Sequence, residues 1–212
     1  MRTITGSIFH YILLALAATI FVGCSPSGQE KISGSIGDSV KVTDSLQSFG
    51  TTAAAEAKEP QFQVDETFQQ QLAGVLTSYL ALKDAFIASD STKVPANSLL
   101  VSDALKKVDV ALLTGDAQNA GKKYLPSLEK SLRHIHANRN IEKQRAAFRT
   151  LSDSLYITIK AFGLGGKEAF YEYCPMAFNE EGAFWLSDQE TIRNPYFGDK
   201  MLTCGEVKEK LK

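Results

Sequence analysis

A long amphipathic stripe is the feature that most constrains how this chain folds. Apolar side chains recur at alternating steps of four and three residues: Phe68, Leu72, Val75, Tyr79, Leu82 and Phe86. This spacing places them on one face of a helix of about six turns. Asp65 is a suitable N-cap for that helix. Because a lone helix of this kind is marginally stable in water, its stripe must be buried against other elements.

Three further segments show the same helical periodicity. The second helix is expected to begin near Pro95 and to extend to Leu112, and the third to open at Pro126. The fourth is expected to run from Ile141 to Phe162 and to stop at Gly163. These patterns predict a mainly α fold, an antiparallel four-helix bundle in which each helix adds one stripe to a shared core.

The C-terminal segment is aromatic, loop-rich and not helical in pattern. Its large rings are Phe170, Tyr171, Tyr173, Phe178, Phe184 and Trp185. The sequence Asn179-Glu180-Glu181-Gly182 between them is compatible with the turn of a short β-hairpin. Residues 207–212 are expected to form a final short helix or to fray. Since so much aromatic surface is costly to expose, this segment should pack against the helices.

The N-terminus has the pattern of a secretion signal. Arg2 is the only charge before an apolar run at residues 8–22, which is short for a membrane span and suits a signal peptide. The run ends in Phe21-Val22-Gly23-Cys24, which resembles the lipobox of bacterial lipoproteins. We predict a signal peptide at residues 1–23 and lipidation of Cys24. The alternatives are an ordinary signal peptide or an uncleaved anchor.

The predicted lipid anchor implies a periplasmic location. Ser25 rather than Asp follows the cysteine, which favours the outer membrane, facing the periplasm. Residues 24–63 are rich in small and polar residues without periodicity, so we interpret them as a lipidated, flexible tether before a folded domain at residues 64–212. The formal net charge of −1 and the lack of a basic stripe argue against a nucleic-acid partner.

All the sulfur of the folded domain lies in two short C-terminal pieces. One piece contains Cys174 and Met176, and the other contains Met201 and Cys204. Residues two apart point to one side of a strand, and residues three apart share a face of a helical turn. If the pieces face each other, they form a four-sulfur site suited to Cu(I) or another soft metal ion.

A disulfide between Cys174 and Cys204 is the alternative interpretation in an oxidising compartment. It would close a loop of roughly thirty residues and stabilise the fold by about 3–4 kcal/mol. The methionines would then be packing groups. Both interpretations stay open, because a reduced pair can bind metal that an oxidised pair cannot.

Other candidate groups are less informative. His134 and His136 point about 200° apart on a helix, so they do not form a ligand pair. Arg193 and Asn194 beside Pro195 are expected to hold a turn by hydrogen bonds to backbone carbonyls; a ligand role for Arg193 is the alternative. The chain lacks the common hydrolase, zinc-protease, P-loop and dinucleotide motifs, so we do not expect an enzyme.

Several ordered motifs resemble one known family. They are YCPMA at 173–177, GAFWLS at 182–187, IRNPYFG at 192–198, MLTCG at 201–205, LALKDA at 80–85 and Gln144-Arg145. They resemble an uncharacterised bacterial periplasmic domain of unknown function. That domain occurs as a stand-alone lipoprotein and is also appended to the adaptor subunits of heavy-metal (copper and silver) efflux pumps. The resemblance implies metal handling, with an efflux adaptor or pump as partner and the membrane reached through the lipid anchor.

Three functions are therefore compatible with the sequence. The first is a soft-metal-binding accessory of cation efflux that uses Cys174, Met176, Met201 and Cys204. The second is an interaction module without metal, stabilised by a Cys174–Cys204 disulfide. The third is an enzyme of a type that the motifs do not reveal.

Overall fold

The computed structural model of this protein describes residues 59–212. The predicted signal peptide, the predicted lipidation site Cys24 and most of the predicted tether lie outside the described residues. The described chain is mainly helical, and it ends in a small antiparallel sheet. No helix within residues 59–212 has the length and apolar character needed to cross a membrane.

Five α-helices and three strands make up this part of the chain. The helices are α1 (Glu66–Ile87), α2 (Lys93–Leu105), α3 (Gly115–Ala137), α4 (Ile141–Phe162) and the short α5 (Ala177–Glu180). The strands are β1 (Ala169–Cys174), β2 (Ala183–Ser187) and β3 (Glu206–Leu211). Single 3-10 turns occupy residues 110–112 and 198–200.

The first and fourth helices follow the sequence pattern closely. Every residue of the α1 stripe is buried, and the Asp65 carboxylate caps the helix by accepting the Thr67 N–H at 2.7 Å. At α4, Asn140 accepts the N–H groups of Glu142 and Lys143 at 3.0 and 3.1 Å. Gly163, with φ of 78°, ends α4 in a conformation that disfavours other residues.

The boundaries of the middle helices differ from the prediction. α2 ends at Leu105 rather than Leu112, and the Asp109 carboxylate then caps a 3-10 turn by accepting the Ala111 N–H at 2.8 Å. α3 begins at Gly115 and continues through Pro126 rather than starting there.

A buried stripe explains why Pro126 does not begin a new helix. The stripe continues on both sides of the proline at helical spacing, and its residues are Ala117, Gly121, Leu125 and Leu128. A proline inside a helix removes one backbone hydrogen bond. Burial of this stripe against the neighbouring helices outweighs that cost.

Each long helix contacts the next one along the chain. α1 packs on α2, α2 on α3 and α3 on α4, and α4 also contacts α1 and β2. Phe148 of α4 lies in the centre of the aromatic core, with ring centroids 5.1 Å from Tyr79 and 4.6 Å from Phe86. The predicted mainly α fold is confirmed, while the antiparallel four-helix bundle stays a prediction.

The sheet has the order β2-β1-β3 and is antiparallel throughout. The expected hairpin is present: β1 pairs with β2, with Glu172 opposite Trp185 and Cys174 opposite Ala183. The expectation of a final helix or a frayed end is wrong, because residues 206–211 form β3 against β1. The backbone hydrogen-bond partners of residues 206–211 lie on a strand distant in the chain. The local sequence of this segment therefore does not reveal that it forms a strand.

Candidate functional site

The two cysteines meet at one end of the β1–β3 strand pair. Cys174 is the last residue of β1, and Cys204 lies two residues before β3. Their Sγ atoms are 2.7 Å apart. Cys174 is fully buried, whereas Cys204 is partly exposed. The structure therefore brings together the two residues that the disulfide interpretation requires.

A network around Asn194 holds Cys204 in this position. The buried Asn194 side chain donates to the Cys204 carbonyl at 2.8 Å, and its backbone N–H donates to the Leu202 carbonyl at 2.8 Å. Asn194 thus has the expected turn-holding role, while the Arg193 side chain is exposed.

Gly205 lets the same segment lie close to the sheet. A Cβ at this position would come within 2.8 Å of the Trp185 ring and 2.9 Å of the Tyr173 carbonyl. Its φ of 145° is also one that L side chains rarely adopt. Two contacts therefore fix the position of Cys204. One is the hydrogen bond from the Asn194 side chain to the Cys204 carbonyl, and the other is the close approach of Gly205 to the sheet.

The environment of Cys204 favours the neutral thiol. Partial burial, and then the hydrogen bond and charge of the Cys174 thiol, raise the pKa of Cys204 to about 11. The Met176 backbone N–H, which points at the Cys204 sulfur, acts in the opposite direction. The Cys204 sulfur thus lies next to Cys174 at the end of β1 and close to the segment that follows β1.

The predicted four-sulfur arrangement is only partly assembled. The cysteines are in contact, but the Met176 and Met201 side chains are 45 % and 36 % exposed. A metal ion about 2.3 Å from both cysteine sulfurs would subtend an S–metal–S angle of only about 70°, far from tetrahedral. A shared metal ion would therefore require a wider separation of the two sulfurs than the 2.7 Å seen here.

The histidines stay away from any ligand cluster. His134 and His136 are both exposed on α3, and the His136 Nδ1 atom lies 3.4 Å from the Pro95 carbonyl. Within residues 59–212, no group of three or more His, Cys, Asp or Glu side chains is arranged to hold a metal ion.

A cleft of about 630 Å³ lies beside the sulfur pair. It is bounded by the first turn of α4, by α5 with the residue before it, and by the segment at residues 196–197. The lining residues are Glu142, Lys143, Arg145, Ala146, Met176, Phe178, Asn179, Glu180, Tyr196 and Phe197. Met176 therefore links the cleft to the sulfur pair, because it lines the cleft and lies two residues after Cys174.

One wall of the cleft has an unusual backbone. Phe178, Asn179 and Glu180 have φ of 54°, 56° and 70°, which makes a left-handed turn of three consecutive non-glycine residues. Each such residue costs about 1–2 kcal/mol relative to the right-handed form. Strained segments of this kind persist only where the surroundings hold them, and they cluster at binding and catalytic sites.

Contacts on both sides of the left-handed turn hold it in place. The Gly182 N–H donates to the Ala177 carbonyl at 2.9 Å, which closes the turn. Arg149 pairs with Glu181 at 2.9 Å and lies 5.2 Å from the centre of the Phe178 ring. Asn179 and Gly182 are the only sequence signals for this conformation, because asparagine and glycine adopt positive φ more readily than other residues.

Arg145 forms the buried base of the cleft. Its guanidinium donates to the carbonyl of Pro195 at 3.0 Å, to the carbonyl of Phe86 at 3.3 Å and to the Ser89 hydroxyl at 3.0 Å. It also pairs with Glu142 at 2.8 Å. Arg145 thereby ties α4 to the end of α1 and to the segment that carries Tyr196.

A buried carboxyl group lies on the same strand as Cys174. Glu172 is fully buried, and neither of its side-chain oxygens has a hydrogen-bond partner among the described residues. Burial raises the pKa of Glu172 to about 8, and the charge of Lys83 offsets only part of this shift. Lys83 is itself buried, with its Nζ atom 3.4 Å from Asp84 and 4.0 Å from Asp188. Sequence reasoning missed this group, since a lone glutamate in a strand is usually exposed.

The described residues form a mainly helical domain with a small C-terminal sheet. The cysteine pair lies at one end of this sheet, and the residues that follow β1 line the cleft. Residues 75–167 match the model of a family described as a protein of unknown function (DUF3347). The chain is thus similar to that family from within α1 to the end of α4, while the sulfur pair lies outside the match. The comparisons with curated proteins and with solved structures returned no match.

Proposed function

We propose that this chain is a lipid-anchored periplasmic interaction module, without enzymatic activity, that is stabilised by a Cys174–Cys204 disulfide and binds its partner at the cleft. The observation that carries the proposal is the 2.7 Å separation of the two sulfurs. In an oxidising compartment, thiols held this close become a disulfide with little movement of the chain.

The cleft supports the choice of binding surface. Its volume of about 630 Å³ lies in the usual range of ligand sites, and its side chains combine aromatic groups with a few polar ones. The left-handed turn adds an independent reason, because such backbone strain is retained where a surface must keep a particular shape.

The described part of the chain begins at the end of α4 that is far from the cleft. The first described residues run beside the end of α4, where the N–H groups of Gln61 and Phe62 donate to the carbonyls of Lys160 and Ala161 at 3.1 and 2.8 Å. The cleft lies at the other end of this 22-residue helix, about 30 Å away. A heavy-metal efflux adaptor or pump is the partner that the sequence resemblance favours.

Soft-metal binding is the second candidate, and the exposed methionines favour it. Met176 and Met201 flank the cysteine pair in the chain, and their partly exposed thioethers are accessible to a metal ion. Thioethers and thiolates are preferred ligands of Cu(I). This function requires the reduced pair, with the two cysteine sulfurs moved apart.

One experiment separates the two candidates. The full chain, purified in detergent with and without reductant, is mapped by alkylation and peptide mass analysis, and Cu(I) is titrated anaerobically against a competing chelator. We expect Cys174 and Cys204 to be protected in the untreated protein and Cu(I) binding to be weak. Met176→Leu should then have little effect on stability.

The opposite result would favour the metal-binding function. Tight stoichiometric Cu(I) binding by the reduced chain, lost in Cys174→Ser and weakened in Met176→Leu, would establish that candidate. Leu100→Met is a matched control, since it adds a thioether on exposed α2 surface without a nearby thiol.

A further inference from the structure

We propose that Cys204 is a thiol-exchange site: the Cys174–Cys204 bond opens from the Cys204 side only, and a small thiol compound becomes attached to Cys204. This inference rests on the disulfide in the proposed function. It adds the sulfur at which the bond reacts, the class of compound that reacts there, and the consequence for the cleft.

The two sulfurs differ in how a thiol can reach them. A thiolate must approach the sulfur that it attacks along the line of the S–S bond, from the side opposite the other sulfur. Cys174 is 0 % exposed and lies in the core with Ala183 and Trp185. Cys204 is partly exposed, and its neighbours Met201 and Thr203 are exposed, as are Pro175 and Met176 on the facing piece. Only Cys204 therefore offers a path from solvent.

The reaction balances without a further oxidant or reductant. The attacking thiolate forms a bond to the Cys204 sulfur while the bond between the two cysteines breaks. The Cys174 sulfur takes the electron pair and then a proton, the one that the attacking thiol lost. The products are a mixed disulfide on Cys204 and a free thiol on Cys174.

An adduct on Cys204 would change the shape of the cleft. Met176 lies two residues after Cys174, whose sulfur contacts that of Cys204, and it lines the cleft immediately before the left-handed turn. A group attached to the Cys204 sulfur must displace this segment or extend past it. Thiol exchange at Cys204 thereby regulates the proposed binding surface.

The single tryptophan provides a local readout. Trp185 is buried, and its ring lies so close to Gly205 that a Cβ there would come within 2.8 Å of it. A change at the cysteine pair should thus alter the intrinsic fluorescence of the protein, while peptide mapping shows which of the two cysteines carries the adduct.

The test uses the full chain in detergent, incubated with reduced glutathione as the probe. Free thiols are then trapped with a large excess of iodoacetamide in denaturant at about pH 8, where the thiolate that reacts is present, and peptides are mapped by mass spectrometry. We expect glutathione on Cys204 and carbamidomethyl on Cys174, with at least about ten-fold more adduct on Cys204 than on Cys174. The Trp185 emission should change at the same rate as the adduct appears.

The other outcomes are distinct from one another. Adduct mainly on Cys174, equal adduct on both cysteines, or no adduct at all would overturn this inference and leave the proposed disulfide intact. If both cysteines are already alkylated in protein that never met glutathione, the proposed disulfide is overturned, and this inference falls with it.

Single-cysteine variants give a second measurement. With oxidised glutathione, the remaining thiol of Cys174→Ser should react at least about ten-fold faster than that of Cys204→Ser. Equal rates in folded variants would contradict the difference in access on which the inference depends.

Discussion

The Tyr79 hydroxyl accepts a hydrogen bond from the Leu186 backbone N–H at 3.2 Å, which ties α1 to the edge strand β2. The same hydroxyl lies 2.7 Å from the Ser152 hydroxyl of α4. One buried oxygen thus connects two helices and the sheet. A second tyrosine, Tyr196, donates to the Phe184 carbonyl of the same strand. These hydroxyls satisfy backbone groups that an edge strand would otherwise leave without a partner.

The first prediction concerns Tyr79→Phe. The substitution keeps the ring but leaves the buried Leu186 N–H without its partner, so it should lower the free energy of unfolding by about 1–3 kcal/mol. Urea unfolding followed by circular dichroism measures this. Tyr124→Phe is the matched control and should be nearly neutral, because no hydrogen bond of the Tyr124 hydroxyl is seen among the described residues. Equal effects of the two substitutions would show that the Tyr79 hydroxyl does not stabilise the junction.

The second prediction concerns Arg145→Ala. Loss of the guanidinium leaves the buried Pro195 carbonyl without its partner and removes one of the two bonds to the Phe86 carbonyl, which keeps the Ser89 N–H at 3.0 Å; the free energy of unfolding should fall by about 2–4 kcal/mol. Arg133→Ala is the control, since its exposed pair with Glu129 should contribute less than about 1 kcal/mol. Comparable small losses in both variants, measured by urea unfolding, would argue against a structural role for Arg145.

The third prediction is a pH dependence due to Glu172. Its folded-state pKa, about 8, is above the ordinary value of 4.5, so the folded protein binds a proton that the unfolded chain releases. Its contribution to stability is therefore fully present below about pH 4.5, falls as the pH rises to about 8, and is constant above that.

Glu172→Gln should remove this dependence. Urea unfolding at several pH values should show a shallower fall in stability for the variant than for the parent between about pH 4.5 and 8. Glu190→Gln, an exposed substitution in the loop after β2, should retain the parent slope. A parent protein whose stability rises over this range, with the same rise in Glu172→Gln, would contradict the assignment.

The fourth prediction concerns the left-handed turn. Glu180 is exposed with φ of 70°, and glycine adopts this conformation without the cost that other residues bear. Glu180→Gly should therefore stabilise the fold by up to about 1 kcal/mol, despite the greater freedom it gives the unfolded chain. Glu190→Gly, where the backbone is not left-handed, should be neutral or destabilising. A loss of stability in Glu180→Gly equal to that in the control would mean that the turn stores no strain.

Local patterns accounted for the helices but not for all of their limits. Asp65 and Asn140 each mark a helix start because a cap acts on amides two or three residues away. Pro126 misled the prediction because its local penalty is outweighed by burial of a stripe whose partners lie on other helices. The hairpin was visible because its two strands flank one short turn, whereas β3 pairs with a strand more than thirty residues earlier.

The candidate site likewise has features that the sequence predicts and features that only the tertiary structure reveals. The sequence by itself determined that the sulfur is confined to two short pieces and that the first and fourth helices carry buried stripes, because these properties depend on composition and on spacing within a few residues. Only the tertiary structure decided that Cys174 and Cys204 touch while the two methionines stay exposed. It also decided that Glu172 is buried without a partner and that residues 178–180 are left-handed. Each of these depends on groups distant in the chain, such as Asn194, Lys83 and Arg149, and contacts between distant segments exist only after the whole domain has packed.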